Sequence, residues 1–243
     1  MSGPSDDFLA RLRAVGEARY HDKHPFNLAM HEGSLTREQL QAWVLNRFYY
    51  QTRIPIKDAL ILSKSDDPAF RRGWIHRITD HDGAAEGEGG ISLWLRLAEG
   101  VGLDREAVRG QTHVLPQARF ACDAYVELVR SRTLVEAVAS SLTEHFAPDL
   151  MARRIAAWET HYPWVSTEVL AYFRVRVGRA RDDAQEALAF VLAEAKTRAL
   201  EDACVAALTT KCDILWALLD AVHGAYVTPG GAVFPPEARA KSR

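Results

Sequence analysis

The C-terminal third of this 243-residue chain carries a stretch that leaves little choice of fold class. Between residues 199 and 226, Ala203, Val205, Leu208, Ile214, Leu215, Trp216, Leu218, Leu219 and Val222 recur at helical spacing. Apolar residues lie nearly all round the resulting helix, as expected for one surrounded by other helices. No segment shows the apolar–polar alternation of a strand. Further helices are expected from Ser5-Asp6-Asp7 to about Gly16, from Thr36 onward, and from Pro68 to His81. Others are expected over about 91–100, 114–146, 149–159, 167–177 and 181–195. The expected fold is all-α, a compact bundle forming one domain over 1–228, with a loose tail over 229–243 that holds Pro229, Pro235 and Pro236.

Local signals set the expected boundaries. Thr36-Arg37-Glu38-Gln39 has the form of a capping box. Pro55 is expected to kink or end the helix it opens. Tyr20 to Gly33 reads as a loop or broken helix, and Gly83 to Gly90 as a glycine-rich turn. With 30 basic and 32 acidic residues there is no basic excess for a nucleic-acid footprint. No run approaches the ~18 apolar residues of a membrane span. The N-terminus has no signal peptide pattern. Cys122, Cys204 and Cys212 form neither a CxxC pair nor an even framework, so reduced thiols and a cytoplasmic location are expected.

Polar chemistry concentrates on a few helix faces. Arg47, Tyr50 and Gln51 share one face and read as the wall of a polar pocket; the alternative is a solvated face with snorkelling cations. Arg77 with His81, and Tyr172 with Arg176, are i, i+4 pairs. His81 stands between Asp80 and Asp82 at a helix C-terminus, where anions and dipole would favour imidazolium and raise its pKa. That makes it a candidate proton-transfer group, against a plain surface cap. Glu144 has apolar and small neighbours and reads either as buried beside an arginine or as solvated. Lys211 lies in the most apolar helix, so it points to a rim or meets a ligand carboxylate.

Several familiar chemistries are absent from the sequence. No Glu has a His three residues later, and neither HExxH nor a cysteine cluster occurs. The glycines of 83–90 follow a helix and include two glutamates, which excludes a phosphate loop. Several cations around one cavity imply an anionic ligand, a polycarboxylate above all.

Asn46-Arg47-Phe48-Tyr49-Tyr50-Gln51 with Ile54-Pro55-Ile56-Lys57-Asp58 resembles the pyrroloquinoline-quinone synthases. So do Asp80-His81-Asp82-Gly83, Ser140-Ser141-Leu142-Thr143-Glu144, His161-Tyr162-Pro163-Trp164 and Lys211-Cys212-Asp213-Ile214-Leu215-Trp216. The likeness runs from about Tyr20 to Tyr226. It implies a haem-oxygenase-like, TenA-like bundle of six helices around a central seventh, assembled as a homodimer. It also implies the last step of pyrroloquinoline quinone formation. A bicyclic tricarboxylate is ring-closed and oxidised by eight electrons with O2, releasing H2O2, without metal or organic redox cofactor.

By the same resemblance His81, Tyr172, Arg176, His21 and Glu144 are the catalytic set, with His81 the main acid/base and Tyr172 and Arg176 beside it at an oxygen site. Tyr20, Arg47, Tyr50, Gln51, Lys57, Arg77, Tyr125, Arg154 and Lys211 are the substrate contacts. Two positions depart from the family. Met151 stands where some relatives carry a substrate-contacting His, and His145 stands where Leu is expected. Two other readings of the fold are a TenA-type hydrolase with a cysteine nucleophile and a non-catalytic carrier of a quinone precursor.

Overall fold

The computed structural model describes residues 4–241, with the side chains of Pro4 and Ser5 outside the described set. Twelve α-helices follow one another: α1 Pro4–Arg19, α2 Pro25–His31, α3 Arg37–Leu62, α4 Pro68–Trp74, α5 His76–Asp82, α6 Gly89–Gly100, α7 Arg105–Gly110, α8 Pro116–Ser131, α9 Leu134–Ser140, α10 Ala147–His161, α11 Ala171–Glu194 and α12 Arg198–Tyr226. No strand occurs among the described residues, only an isolated bridge between Leu103 and Arg239. The all-α expectation holds.

The helix buried nearly all round is α3. From Leu40 to Gln51 every residue except Arg47 is buried, and α4, α5, α6, α8, α9 and α12 all pack against it. By contrast α12 exposes a stripe at Asp202, Ala206, Thr210, Asp213, Ala217, Asp220 and Gly224. Asp202, Thr210, Asp213 and Asp220 make that stripe polar, which is why it faces water, and the small side chains of Ala206 and Ala217 cost little to leave there. Pro55 does not end α3. Its missing donor removes one bond, while the buried neighbours Ile54, Lys57, Asp58 and Ile61 are held from both sides by other elements.

Several expected boundaries move. α1 begins before Ser5-Asp6-Asp7, so these lie in its first turn, and the expected cap at Ser5 rests on a side chain outside the described set. It also runs past Gly16 to Arg19. A Cβ at Gly16 would fall 1.9 Å from the Phe146 ring, so glycine is there for close packing. The 68–81 helix divides at Ile75, and the expected 114–146 helix is three elements. Arg132 is extended, and Thr133 then opens α9 with a capping box to Glu136. The capping box of Thr36 and Gln39 is formed as read. Residues 167–195 join into a short 3₁₀ turn and one long α11.

The tail expected to be loose is docked. Phe234 and Ala238 are buried, Asp104 N donates to Ala238 O at 2.9 Å, and Ala240 N donates to Gly102 O at 3.0 Å. At one end of the bundle Trp43, Trp94, Trp158 and Phe173 tie α3, α6, α10 and α11 together, with ring centroids 5.4–6.4 Å apart. Such pairs add about 0.5–1.5 kcal/mol each beyond area burial. Trp94 also meets Tyr172 edge-on at 4.9 Å, so this cluster seats a wall of the cavity described next.

Candidate active site

A cavity lies between α3, α5, α8, α10, α11, α12 and the turns that join them. Ten of the fourteen predicted site residues line it: Tyr20, His21, Arg47, Tyr50, Lys57, His81, Tyr125, Glu144, Tyr172 and Arg176. Gln51, Arg77, Arg154 and Lys211 do not line it. They are buried and bonded to residues on its wall or just behind it.

His81 overturns one expectation. It is buried, and its pKa is lowered to about 3, first by burial and then by Arg176. Burial and the nearby guanidinium outweigh any pull from Asp80 and Asp82. Asp80 pairs instead with Arg179 at 3.3 Å. His81 Nδ1 lies 3.1 Å from Arg77 O, and a carbonyl oxygen only accepts. Nδ1 therefore carries the hydrogen. Nε2 is left as a bare, buried acceptor without a protein partner.

His21 is set the other way. It sits in a 3₁₀ turn, His21–Lys23, between α1 and α2. Arg154 donates to Asn27 Oδ1 at 2.9 Å, which points the Asn27 amide nitrogen at His21 Nδ1, 3.2 Å away, and at His21 O, 2.7 Å away. His21 Nδ1 accepts, so its hydrogen is on Nε2. Burial, with Arg47, Arg154 and Lys211 nearby, holds this imidazole neutral.

Cations dominate the walls. The Arg47 guanidinium lies 3.7 Å over the Tyr50 ring. Lys57 donates to Ser141 Oγ at 3.1 Å and pairs with Asp58 at 2.8 Å. Arg176 reaches Asp183 at 3.5 Å. Glu144 is the one carboxylate on the lining. Burial favours its neutral acid, but Arg77 at 2.6 Å, with Lys57 and Arg176, outweighs that and pulls its pKa to about 2. Glu144 lies not in a long helix but in the 3₁₀ segment Ser141–Phe146. Three residues per turn bring Ser141 and Glu144 onto one line, facing Lys57 and Arg77.

Lys211 is neither at a rim nor paired with a carboxylate. Its Nζ donates to Tyr50 OH at 2.7 Å and sits 3.4 Å over the Tyr125 ring. Burial and the neighbouring Arg47 and Lys57 push its pKa well below the usual lysine value. Tyr172 OH donates to Gln51 Oε1 at 2.8 Å, leaving the Gln51 amide nitrogen without a partner. Gly90 packs beside both His81 and Tyr172; a Cβ there would make ordinary van der Waals contact with them, 3.4 Å from each.

Residues that sequence reasoning did not single out also build the site. Ile54, Thr143, Ala147 and Leu215 line it, Asn27 sets His21, and Asp58 holds Lys57. Met151 lines the cavity and Arg154 approaches its sulfur at 3.9 Å. His145 is exposed and does not line the cavity, so it supplies no imidazole in place of Met151. Among the described residues, His76, Asp80 and Asp183 are close enough to share an ion. They lie outside the cavity lining, and His76, Arg176 and Arg179 already engage the two carboxylates. No described helix is long and apolar enough to cross a membrane.

The profile of the TENA/THI-4/PQQC family matches residues 9–221. A pyrroloquinoline-quinone synthase of Acidiphilium cryptum is 52% identical over 233 residues, covering 96% of this chain and 94% of the relative. One of Rhizobium meliloti is 55% identical over 223 residues, covering 92% and 87%. Among solved structures, a haem-oxygenase-like domain of unknown function from Shewanella denitrificans superposes with a TM-score of 0.73 at 16% identity, covering 94% of both chains. A TenA homologue from Pseudomonas syringae gives 0.70 at 13% identity, covering 91% of this chain and 97% of that one. The architecture is therefore haem-oxygenase-like.

Proposed function

This chain belongs to the TENA/THI-4/PQQC family, and from that premise we propose that it is a pyrroloquinoline-quinone synthase. It closes a ring of a bicyclic tricarboxylate and oxidises it by eight electrons with O2, releasing H2O2. The observation that carries this reading is one cavity holding Arg47, Lys57 and Arg176 together with a neutral histidine whose Nε2 is bare.

The chemistry follows from those groups. The cations neutralise a multiply charged ligand in a buried space, where charge interactions are strong. His81 Nε2 takes a proton from the bound precursor, and the resulting anion gives electrons to O2 held beside Tyr172 and Arg176. His21, with its hydrogen on Nε2, donates a hydrogen bond to a developing oxyanion. The tyrosines Tyr20 and Tyr50 stay protonated, because burial raises their pKa values.

A TenA-type hydrolase would need a thiol in the pocket. Cys122, Cys204 and Cys212 are buried, none lines the cavity, and burial pushes each thiol up to about 12. The reading also carries a homodimer in the cytoplasm, with no resident cofactor. The test is aerobic turnover of chelator-treated protein with the bicyclic precursor, following quinone and peroxide. Undiminished turnover supports the proposal. Loss on chelation and return on added iron overturns the cofactor-free part, and tight binding without turnover leaves a carrier.

A further inference from the structure

Lys57 lines the cavity, Lys211 lies behind its wall against Tyr50, and both are buried. Their surroundings differ in one respect. Lys57 has a carboxylate at 2.8 Å, whereas Lys211 has a phenol and an aromatic ring. The carboxylate belongs to Asp58, which is itself buried and does not line the cavity. Asp58 Oδ1 also accepts from Trp74 Nε1 at 2.9 Å, and the Arg77 guanidinium rests 3.9 Å over the Trp74 ring. Arg77 in turn holds Glu144 on the lining.

We propose that Asp58 is a positioning residue that keeps Lys57 a fixed cation on the cavity wall and, through Trp74, seats Arg77 beneath Glu144. One carboxylate thus anchors two of the positive groups that face or back the ligand. Burying a lysine is unfavourable, and an adjacent anion is what makes the charge tolerable. Burial opposes the charge on Lys57 more than any one neighbour favours it, and Asp58, the strongest of the opposing influences, outweighs it only together with others. Glu144 and Tyr125 add to the pull, while Arg77, Lys211 and His81 face Lys57 without supplying a negative charge.

Asp58→Asn isolates the charge. An Asn oxygen still accepts from Lys57 and Trp74, and its amide nitrogen takes the place of Oδ2, which has no partner in the structure. The chain has six lysines, Lys23, Lys57, Lys64, Lys196, Lys211 and Lys241, few enough for NMR of the intact protein labelled at lysine Cε. The proposal takes the cavity as the ligand site, as above, but this titration is read without ligand and is independent of the reaction.

The expected result is that Lys57 stays charged across the accessible alkaline range in the native protein. In Asp58→Asn its midpoint falls by at least two pH units, and binding of pyrroloquinoline quinone weakens at least tenfold as pH rises through that midpoint. A purely structural role would weaken binding equally at every pH. An unchanged Lys57 midpoint in Asp58→Asn overturns the proposal. If Asp58→Asn does not fold, Lys57→Met is compared with Lys57→Met/Asp58→Asn. The double variant is expected to melt higher, since it no longer strands a buried carboxylate, and an equal or lower melting temperature overturns the proposal.

Discussion

His21 and His81 face one cavity in opposite tautomers. His81 gives its Nδ1 hydrogen to Arg77 O, and His21 accepts the Asn27 amide at its own Nδ1. The first thus offers a bare Nε2 and the second an Nε2–H. A base and a donor line one cavity with no charge on either, and its positive charge comes from lysine and arginine side chains.

Removing the base should separate binding from chemistry. His81→Ala keeps its affinity for pyrroloquinoline quinone within a few fold, because the cations remain. Oxygen uptake with the precursor falls about 10²–10⁴-fold, the range for loss of a positioned general base. Oxygen-electrode rates beside binding titrations check this; a native rate removes His81 from the mechanism.

The neutral imidazoles also fix how stability depends on pH. His81 is lowered to about 3, and His21 is also well below 6.5. Below pH 6.5 the unfolded chain binds protons there and the native protein does not. Stability is therefore fully present above about 6.5 and is lost as pH falls, by about 1.4 kcal/mol per pH unit for each such histidine. Denaturant melts between pH 6.5 and 5.5 measure this slope, above the pH at which Glu144 of the unfolded chain takes up its proton. His81→Gln should flatten it, and equal slopes would refute the assignment.

The two buried lysines should respond differently to the same substitution. Lys57→Met strands Asp58 without its cation and costs about 3–5 kcal/mol of stability. Lys211→Met leaves no carboxylate behind, only Tyr50 OH without its donor, and costs about 1–3 kcal/mol. Urea unfolding of both variants gives the comparison; a reversed order would contradict the ion-pair assignment.

Lys211 has a further signature. Its pKa lies well below the ordinary value in the empty protein, and a ligand carboxylate brought near restores the charge. Binding of pyrroloquinoline quinone at alkaline pH should therefore take up a proton. Calorimetry in buffers of different ionisation enthalpy detects it, and Lys211→Met should abolish that share. Identical uptake in both proteins would show that Lys211 is already charged.

The contrast between faces and partners explains what could be read from the chain alone. Helical spacing puts Arg47, Tyr50 and Gln51 on one face, because i, i+3 and i, i+4 geometry is local; Arg47 and Tyr50 do line the cavity, while Gln51 lies behind it, bonded to Tyr172. The capping box at Thr36 was legible for the same reason. His81 was misjudged, since its charge state depends on burial and Arg176, 95 residues away in the chain numbering. Asn27 stayed hidden because its role is defined by Arg154, which only the fold brings within 2.9 Å. Asp58 was visible as part of a motif, but its tie to Trp74 was not. In α12 the abundance of apolar residues masks a stripe that Asp202, Asp213 and Asp220, spaced to share one face, mark as polar.

The most direct test of the central claim is to mix protein and bicyclic precursor without oxygen, then admit air while recording spectra and peroxide. A precursor held by Arg47, Lys57 and Arg176 beside the bare nitrogen of His81 should change its spectrum on binding and, once air enters, consume O2 and yield quinone with peroxide. No consumption of O2 by the protein-bound precursor, or consumption that appears only after iron is supplied, would contradict it.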